Sequence, residues 1–364
     1  MLITDSKELR RFYAAQRKWQ GIPAIERTKS GRLFAAFYSG GETECMGNYA
    51  MVVMSDDDGQ TFSAPIAAAY MGEKARAFDS TLWIDPLGRL WFIWAVMPAC
   101  RVEFSICAEP DADNLSWGPV RVLGYDIMLN KPIVTRDGAW LFPVAVWAGG
   151  LTTGEAGGSD GIHETGAHVY RSLDQGETFE KIGTVVAPER WFDEHMLLEK
   201  LDGTLEMYIR TTYGVAKAVS ADGGCTWSPA ADSGLGGPNS RFFIGRLRSG
   251  RILLVNHDHF SGRNNLTAML SDDDGKTFSA KLMIDARSDV SYPDACEGDG
   301  LIYIIYDHER GAKYQPGVDY SHAAREILMA KLTEEDILAG RLQNPASRMG
   351  SVVSKLDERV CGNT

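Results

Sequence analysis

The chain has 364 residues, 44% of them hydrophobic, and a formal charge of −12. That is ample apolar material for a folded interior, and the acidic balance argues against nucleic acid or an anionic membrane as partner, since both call for basic surfaces. No run of about 18 apolar residues exists to span a bilayer. The cysteines, Cys45, Cys100, Cys107, Cys225, Cys296 and Cys361, form no Cys-x-x-Cys pair, so no zinc site is expected.

The N-terminal stretch MLITDSKELRRFYAAQRKW lacks the apolar core and cleavage site of a secretion signal, so a cytoplasmic location is expected. Within it, SKELRRFYAAQRKW reads as a short helix. From there the chain repeats one unit. Glycine turns precede apolar strands at SGRLFAAF, LGRLWFIW, DGAWLFPV, DGTLEMYI, SGRILLVN and DGLIYIIY, with Gly31, Gly88, Gly138, Gly203, Gly250 and Gly300 at intervals of 57, 50, 65, 47 and 50 residues. The segments are short and rich in Val, Ile, Trp, Phe and Tyr, which favours strands over a helical solenoid. Six units of this length predict an all-β fold, a six-bladed β-propeller with four-stranded blades, occupying residues 1–364 as one domain.

A second phrase, Ser-x-Asp-x-Gly-x-Thr-aromatic, occurs as SDDDGQTF from Ser55, SLDQGETF from Ser172, SADGGCTW from Ser220 and SDDDGKTF from Ser271. SWGP at 116–119 fits a worn copy. Asp and Gly are turn residues for separate reasons: the carboxylate bonds backbone amides ahead of it, and Gly accepts a positive φ. Asp57, Asp174, Asp222 and Asp273 are therefore read as turn holders. The stretch 149–166 is the widest loop and reads as a surface rim or lid. At the far end, TEEDILAGRL follows the strand REILMAKL as a helix capped by Thr333.

In a propeller the innermost strands line the central axis. Counting back seven to ten positions from each turn glycine gives Gly21, Asp79, Lys131, Glu194, Arg241 and Tyr292. Five of these six are ionisable, although apolar strands follow them. Buried charge requires a partner, so a pocket for a polar, acidic small molecule is expected at one mouth of the axis. Tyr38, Arg210, His257 and Asp307 fall at the strand exits, with Arg263 close behind.

These residues resemble the sialidase (neuraminidase) superfamily of six-bladed propellers, and the repeated phrase resembles its Asp-box. DEHMLLEKLDGTLEMYIR resembles the segment with a glutamate base and a carboxylate-binding arginine, which implies those roles for Glu194 and Arg210. GRNNLTAMLSDDDGKTF resembles the segment with a further such arginine, here Arg263. DVSYPDACEGDGLIYIIYD resembles the segment with the nucleophilic tyrosine, here Tyr292. The resemblance implies an exo-glycoside hydrolase that removes an acidic sugar and needs no cofactor or metal. Two departures stand out. Where the family begins its first blade with Arg-Ile-Pro, this chain has Gly21-Ile22-Pro23, and Arg241 or Lys131 is the candidate to compensate. Where the family has an acid/base aspartate, YSGGETECMGNYAMVV offers Glu44, with Glu42 behind it. Asp79, Lys131, His195, His257 and Arg241 complete the expected substrate-binding set. Two other readings stay open: a lyase acting at a uronic acid, with Tyr292, His195 or His257, and Arg210; and a propeller that binds glycans without chemistry.

Overall fold

The structure is a computed structural model that describes residues 1–125, 127–147, 164–310 and 324–356. Six antiparallel sheets stand around a common axis as a β-propeller. Blades 2 to 6 have four strands each, in chain order from the axis outward. In blade 1 the N-terminal pair Leu2–Ile3 adds a fifth strand against Ala67–Ala69.

The turn glycines sit where the sequence spacing places them, between the first and second strands of each blade. All six have φ between 75° and 106°, a region that side chains resist. The repeated phrase closes the turn between the third and fourth strands. In blade 1 the Asp57 carboxylate accepts from the Thr61 amide at 2.9 Å and the Thr61 hydroxyl at 2.6 Å, and the Ser55 hydroxyl accepts from the Gly59 amide at 2.9 Å. The same bonds recur around Asp174, Asp222 and Asp273. They hold the carboxylates well below their ordinary range, Asp174 and Asp222 to about 2, with the threonine hydroxyl the foremost cause. The turn reading of these aspartates is what the structure shows.

Apolar faces pack blade against blade. Trp83 meets Trp140 edge-on at 4.9 Å between blades 2 and 3. Ile25, Leu33 and Phe37 of blade 1 share a core with Tyr303, Ile305 and Ile327 of blade 6, which closes the ring. Polar bonds add to that seam: Arg17 donates to Ser354 Oγ at 3.2 Å, and Gln20 Nε2 donates to the Ser354 carbonyl at 3.0 Å.

The terminal helices differ from each other. Glu334–Ala339 has the expected Thr333 cap, reciprocated by Asp336 in a capping box. The N-terminal helix is one turn, Ser6–Leu9, followed by two 3₁₀ turns. It breaks because Tyr13 takes an extended conformation between those turns. Most of the loop 149–166 lies outside the described residues. No described helix is long and apolar enough to cross a membrane.

Candidate functional site

Three of the six innermost strands carry a bulge at the same height. In blade 1 Gly21 pairs with Tyr38 and Ala24 with Ala36, so Ile22 and Pro23 oppose one residue. In blade 2 the extra pair is Asp79-Ser80, and in blade 6 it is Tyr292-Pro293. The first residue of each bulge is left-handed: φ is 56° at Ile22, 46° at Asp79 and 55° at Tyr292. Non-glycine residues adopt this region at a cost, and such strain gathers at functional sites. A bulge re-aims a side chain, and here it turns Asp79 and Tyr292 toward a common mouth.

Tyr292 is the centre. Its hydroxyl donates to Glu194 Oε1 at 2.9 Å and accepts from Arg210 Nη1 at 2.9 Å. Arg210 Nη1 also lies 2.7 Å from Glu194 Oε1, closing a triangle. Arg210 is held from behind by Asn239, through Nε to the side-chain oxygen at 2.7 Å and Nη2 to the carbonyl at 3.0 Å. Burial raises the Tyr292 pKa to about 12; Glu194 adds to that, while Arg210, Arg263 and Arg310 oppose it. The phenol therefore stays protonated at rest, with a carboxylate in place to take its proton.

Two more guanidinium groups flank the ring, Arg263 at 5.3 Å and Arg310 at 4.5 Å from its centroid. Among the described residues the Arg263 guanidinium makes one hydrogen bond, to the Asn239 carbonyl at 3.3 Å, and pairs with no carboxylate. Loss of surrounding water lowers its pKa, and the nearby Arg310 and Arg210 lower it further. Arg310 is buried and pairs with Glu44 at 3.3 Å and Asp307 at 3.5 Å. Asp307 also accepts from the Ile22 amide at 2.8 Å and the Ser291 hydroxyl at 2.6 Å, tying the bulges of blades 1 and 6 together.

The acidic side of the mouth holds Glu44 and Asp79. Asp79 is 3% exposed and has no hydrogen bond or ion pair among the described residues. Burial raises its pKa well above the carboxylate range, reinforced by the charges of Glu44 and Glu194. The Tyr38 phenol, also buried, is raised by burial, by Glu44 and by Asp79. Glu42 points elsewhere and pairs with Lys18.

The remaining expected site residues lie away from Tyr292. Lys131 and Arg241 are further along the axis. Lys131 bonds the Ile25 and Leu82 carbonyls and pairs with Glu26 at 2.7 Å and Asp294 at 3.1 Å. Arg241 bonds Asn130 and the Pro23 carbonyl and faces Asp294 at 3.5 Å. Buried charges need such partners, and each of these two ties four blades together instead of compensating at the mouth. Glu194 and His195 lie in the turn just before the strand Met196–Glu199, and the His195 ring is held by the carbonyls of Asp193 and His168. His257 bonds the Asn264 carbonyl at 2.7 Å and lines a cleft between blades 4 and 5. The histidines of the lyase reading are thus not brought to Tyr292. Among the described residues no group of three His, Cys, Asp or Glu side chains is arranged to hold a metal ion.

Arg310 is the site residue that counting from the glycines missed. The one signal for it was its place three residues after Asp307, just beyond a strand exit.

A family model described as a BNR repeat-like domain matches residues 113–304. The chain belongs to that family. The BNR repeat-like chain also matches solved six-bladed propellers. It is similar to the Hadza microbial sialidase Hz136, at 18% identity and a TM-score of 0.63, over 79% of this chain and 63% of that one. It is similar to a leech intramolecular trans-sialidase, at 14% identity and 0.65, over 90% and 70%. It is similar to the intramolecular trans-sialidase of Ruminococcus gnavus, at 12% identity and 0.61, over 92% and 98%. At these identities the likeness is one of fold. A comparison with curated proteins gave no match.

Proposed function

We propose that this BNR repeat-like propeller is an exo-glycoside hydrolase that removes an acidic sugar of the keto-acid class, with Tyr292 as nucleophile and Glu194 as its base. The observation that carries the reading is the buried triangle of Tyr292, Glu194 and Arg210, set beside Arg263, a guanidinium without a carboxylate partner among the described residues. Such a site is arranged for an anion that arrives with the substrate, and bidentate guanidinium–carboxylate contacts are among the strong polar ones. The leech trans-sialidase structure was obtained with 2,7-anhydro-Neu5Ac, a member of that sugar class.

The chemistry explains the residue types. A carboxylate beside the anomeric carbon repels a carboxylate nucleophile, whereas a neutral phenol does not; tyrosine nucleophiles are the known exception to the two-carboxylate scheme. The Tyr292 proton passes to Glu194 as its oxygen bonds the anomeric carbon. The bond to the leaving oxygen breaks, and that oxygen takes a proton from an acid. Glu44 is committed to its pair with Arg310. Asp79 is buried without an ion pair among the described residues, and burial pushes its carboxyl well above the ordinary range, so Asp79 is assigned as donor, with Glu44 steadying Arg310. Water then attacks the anomeric carbon and gives its proton to Asp79, and the departing phenolate recovers its own from Glu194.

The test is release of N-acetylneuraminic acid from sialyllactose, followed by chromatography, with a uronate oligosaccharide monitored for ultraviolet absorbance in parallel. The reading expects sugar release by the unmodified protein and none by Tyr292→Phe. Absorbance from a new C=C bond, or equal activity in Tyr292→Phe, overturns it.

A further inference from the structure

We propose that Arg310, from the strand exit of blade 6, is the third arm of the carboxylate-binding group, and that Gly21 is small so that Arg310 can reach the pocket. The inference rests on the reading of the site as a binder of an acidic sugar, and it names what gives this chain its grip on the acid.

The argument begins at Gly21. Its φ lies outside the left-handed region, so its backbone does not demand glycine. Space does. A Cβ built there would fall 2.3 Å from Cδ and 2.9 Å from Cγ of Arg310, and 3.2 Å from Asp307 Oδ2. The arginine stem occupies the volume that any side chain at position 21 would fill. Pro23 and the bulge at Ile22 fix the backbone around it.

The guanidinium beyond that stem is placed for substrate. It lies 4.5 Å from the centroid of the Tyr292 ring, the ring that Arg263 approaches at 5.3 Å and whose hydroxyl Arg210 touches. Asp307, fully buried, and Glu44 fix Arg310 from two sides. Three guanidinium groups thus converge on one tyrosine, and two of them have protein carboxylates that set their direction. Like charges this close repel one another, and an incoming carboxylate relieves that repulsion. The first-blade arm and the sixth-blade arm exclude each other, because they need the same space.

Three variants and one complex test this. Arg310→Lys keeps the charge and loses the planar fork; Gly21→Ala leaves Arg310 intact and displaces it; Gly21→Arg with Arg310→Ala returns the arm to blade 1. Binding is measured calorimetrically with N-acetylneuraminic acid, with glucuronic acid as a second acid, and thermal melting checks folding. Losing one charge-assisted pair corresponds to about 10- to 100-fold weaker binding, expected for both single variants, and the double variant should recover at least about tenfold. A crystal structure of the unmodified protein with N-acetylneuraminic acid should place the Arg310 guanidinium at about 3 Å from the sugar carboxylate. That structure decides the matter even where a variant fails to fold. Undiminished affinity in both folded single variants, no recovery in the double variant, or a carboxylate out of reach of Arg310 overturns the assignment while the functional reading stands. Failure of the unmodified protein to bind either acid sinks the functional reading and this assignment with it.

Discussion

Blades 6, 1 and 2 deliver their residues to the mouth by one device, and blades 4 and 5 by another. The first three have innermost strands of nine residues, Val290–Gly298, Trp19–Arg27 and Arg76–Ile84, each bulged around a left-handed residue. Blades 4 and 5 have innermost strands of four residues, and the chain enters them through tight turns. In these turns the Glu194 amide donates to the Phe192 carbonyl, and the Ser240 amide to the Pro238 carbonyl. The bulged half carries the groups that would react, Tyr292 and Asp79, on strained backbone of about 1–3 kcal/mol per residue. The other half supplies Glu194 as the proposed base for Tyr292, and fills the axis below with Arg241. Strained backbone and axial support are thus divided around the ring.

The sharpest way to break this division is Tyr292→Phe. Removing the nucleophile should lower kcat by about 10⁴-fold or more, while the melting temperature stays close to that of the unmodified protein. Arg241→Met attacks the supporting half. It strands Asp294 without one of its cations, and breaking a buried pair costs about 3–5 kcal/mol. Chemical denaturation should show that loss, with affinity for N-acetylneuraminic acid unchanged.

Asp79→Asn returns to the bulged half. General acid catalysis is worth about 10²- to 10⁴-fold, so turnover of an alkyl glycoside should fall that much, and turnover of a nitrophenyl glycoside far less. On the proposed mechanism Asp79 acts protonated, so the rate of the unmodified protein should fall as pH rises through the raised Asp79 pKa, and the variant should lose that limb. An equal penalty on both leaving groups would move the donor role to Glu44.

His168 gives a smaller effect, on stability alone. Burial lowers its pKa to about 4, below its ordinary 6.5. The unfolded chain therefore binds a proton that the folded one refuses between these values. Stability is fully present above pH 6.5 and declines as pH falls toward 4, by about 3 kcal/mol at most. His168→Asn should flatten that decline in denaturation curves taken across the range. Least of all, Asp57→Ala removes one turn lock far from the mouth. A shift of about 2–4 °C in Tm is expected, with kcat/KM unaltered.

Much of the blade framework could be read along the chain because its signals are local. The six turn glycines and the four Ser-x-Asp-x-Gly phrases each complete their hydrogen bonds within a few residues, so their letters and their geometry coincide. Tyr292, Glu194 and Arg210 could be picked out by their counts from the turn glycines, and Arg263 by the family resemblance of its segment. Depth along the axis could not. Lys131 stands seven and Arg241 nine positions before its glycine, yet both pair with Asp294 below the mouth, whereas Glu194, also nine positions before its glycine, reaches Tyr292. The bulge also shifts blade 1 by one residue, so that Ile22, and not Gly21, stands level with Asp79 and Tyr292.

By itself the sequence determined the repeat, the strand class and the turns, since alternation, glycine placement and side-chain caps act over short spans. Only the tertiary structure decided which charges meet: that Arg310 takes the space beside Gly21, that Glu44 pairs with it, and that Asp79 is buried without an ion pair among the described residues. Those outcomes depend on how much room and water remain where blades 6, 1 and 2 converge, and no single segment of chain carries that information.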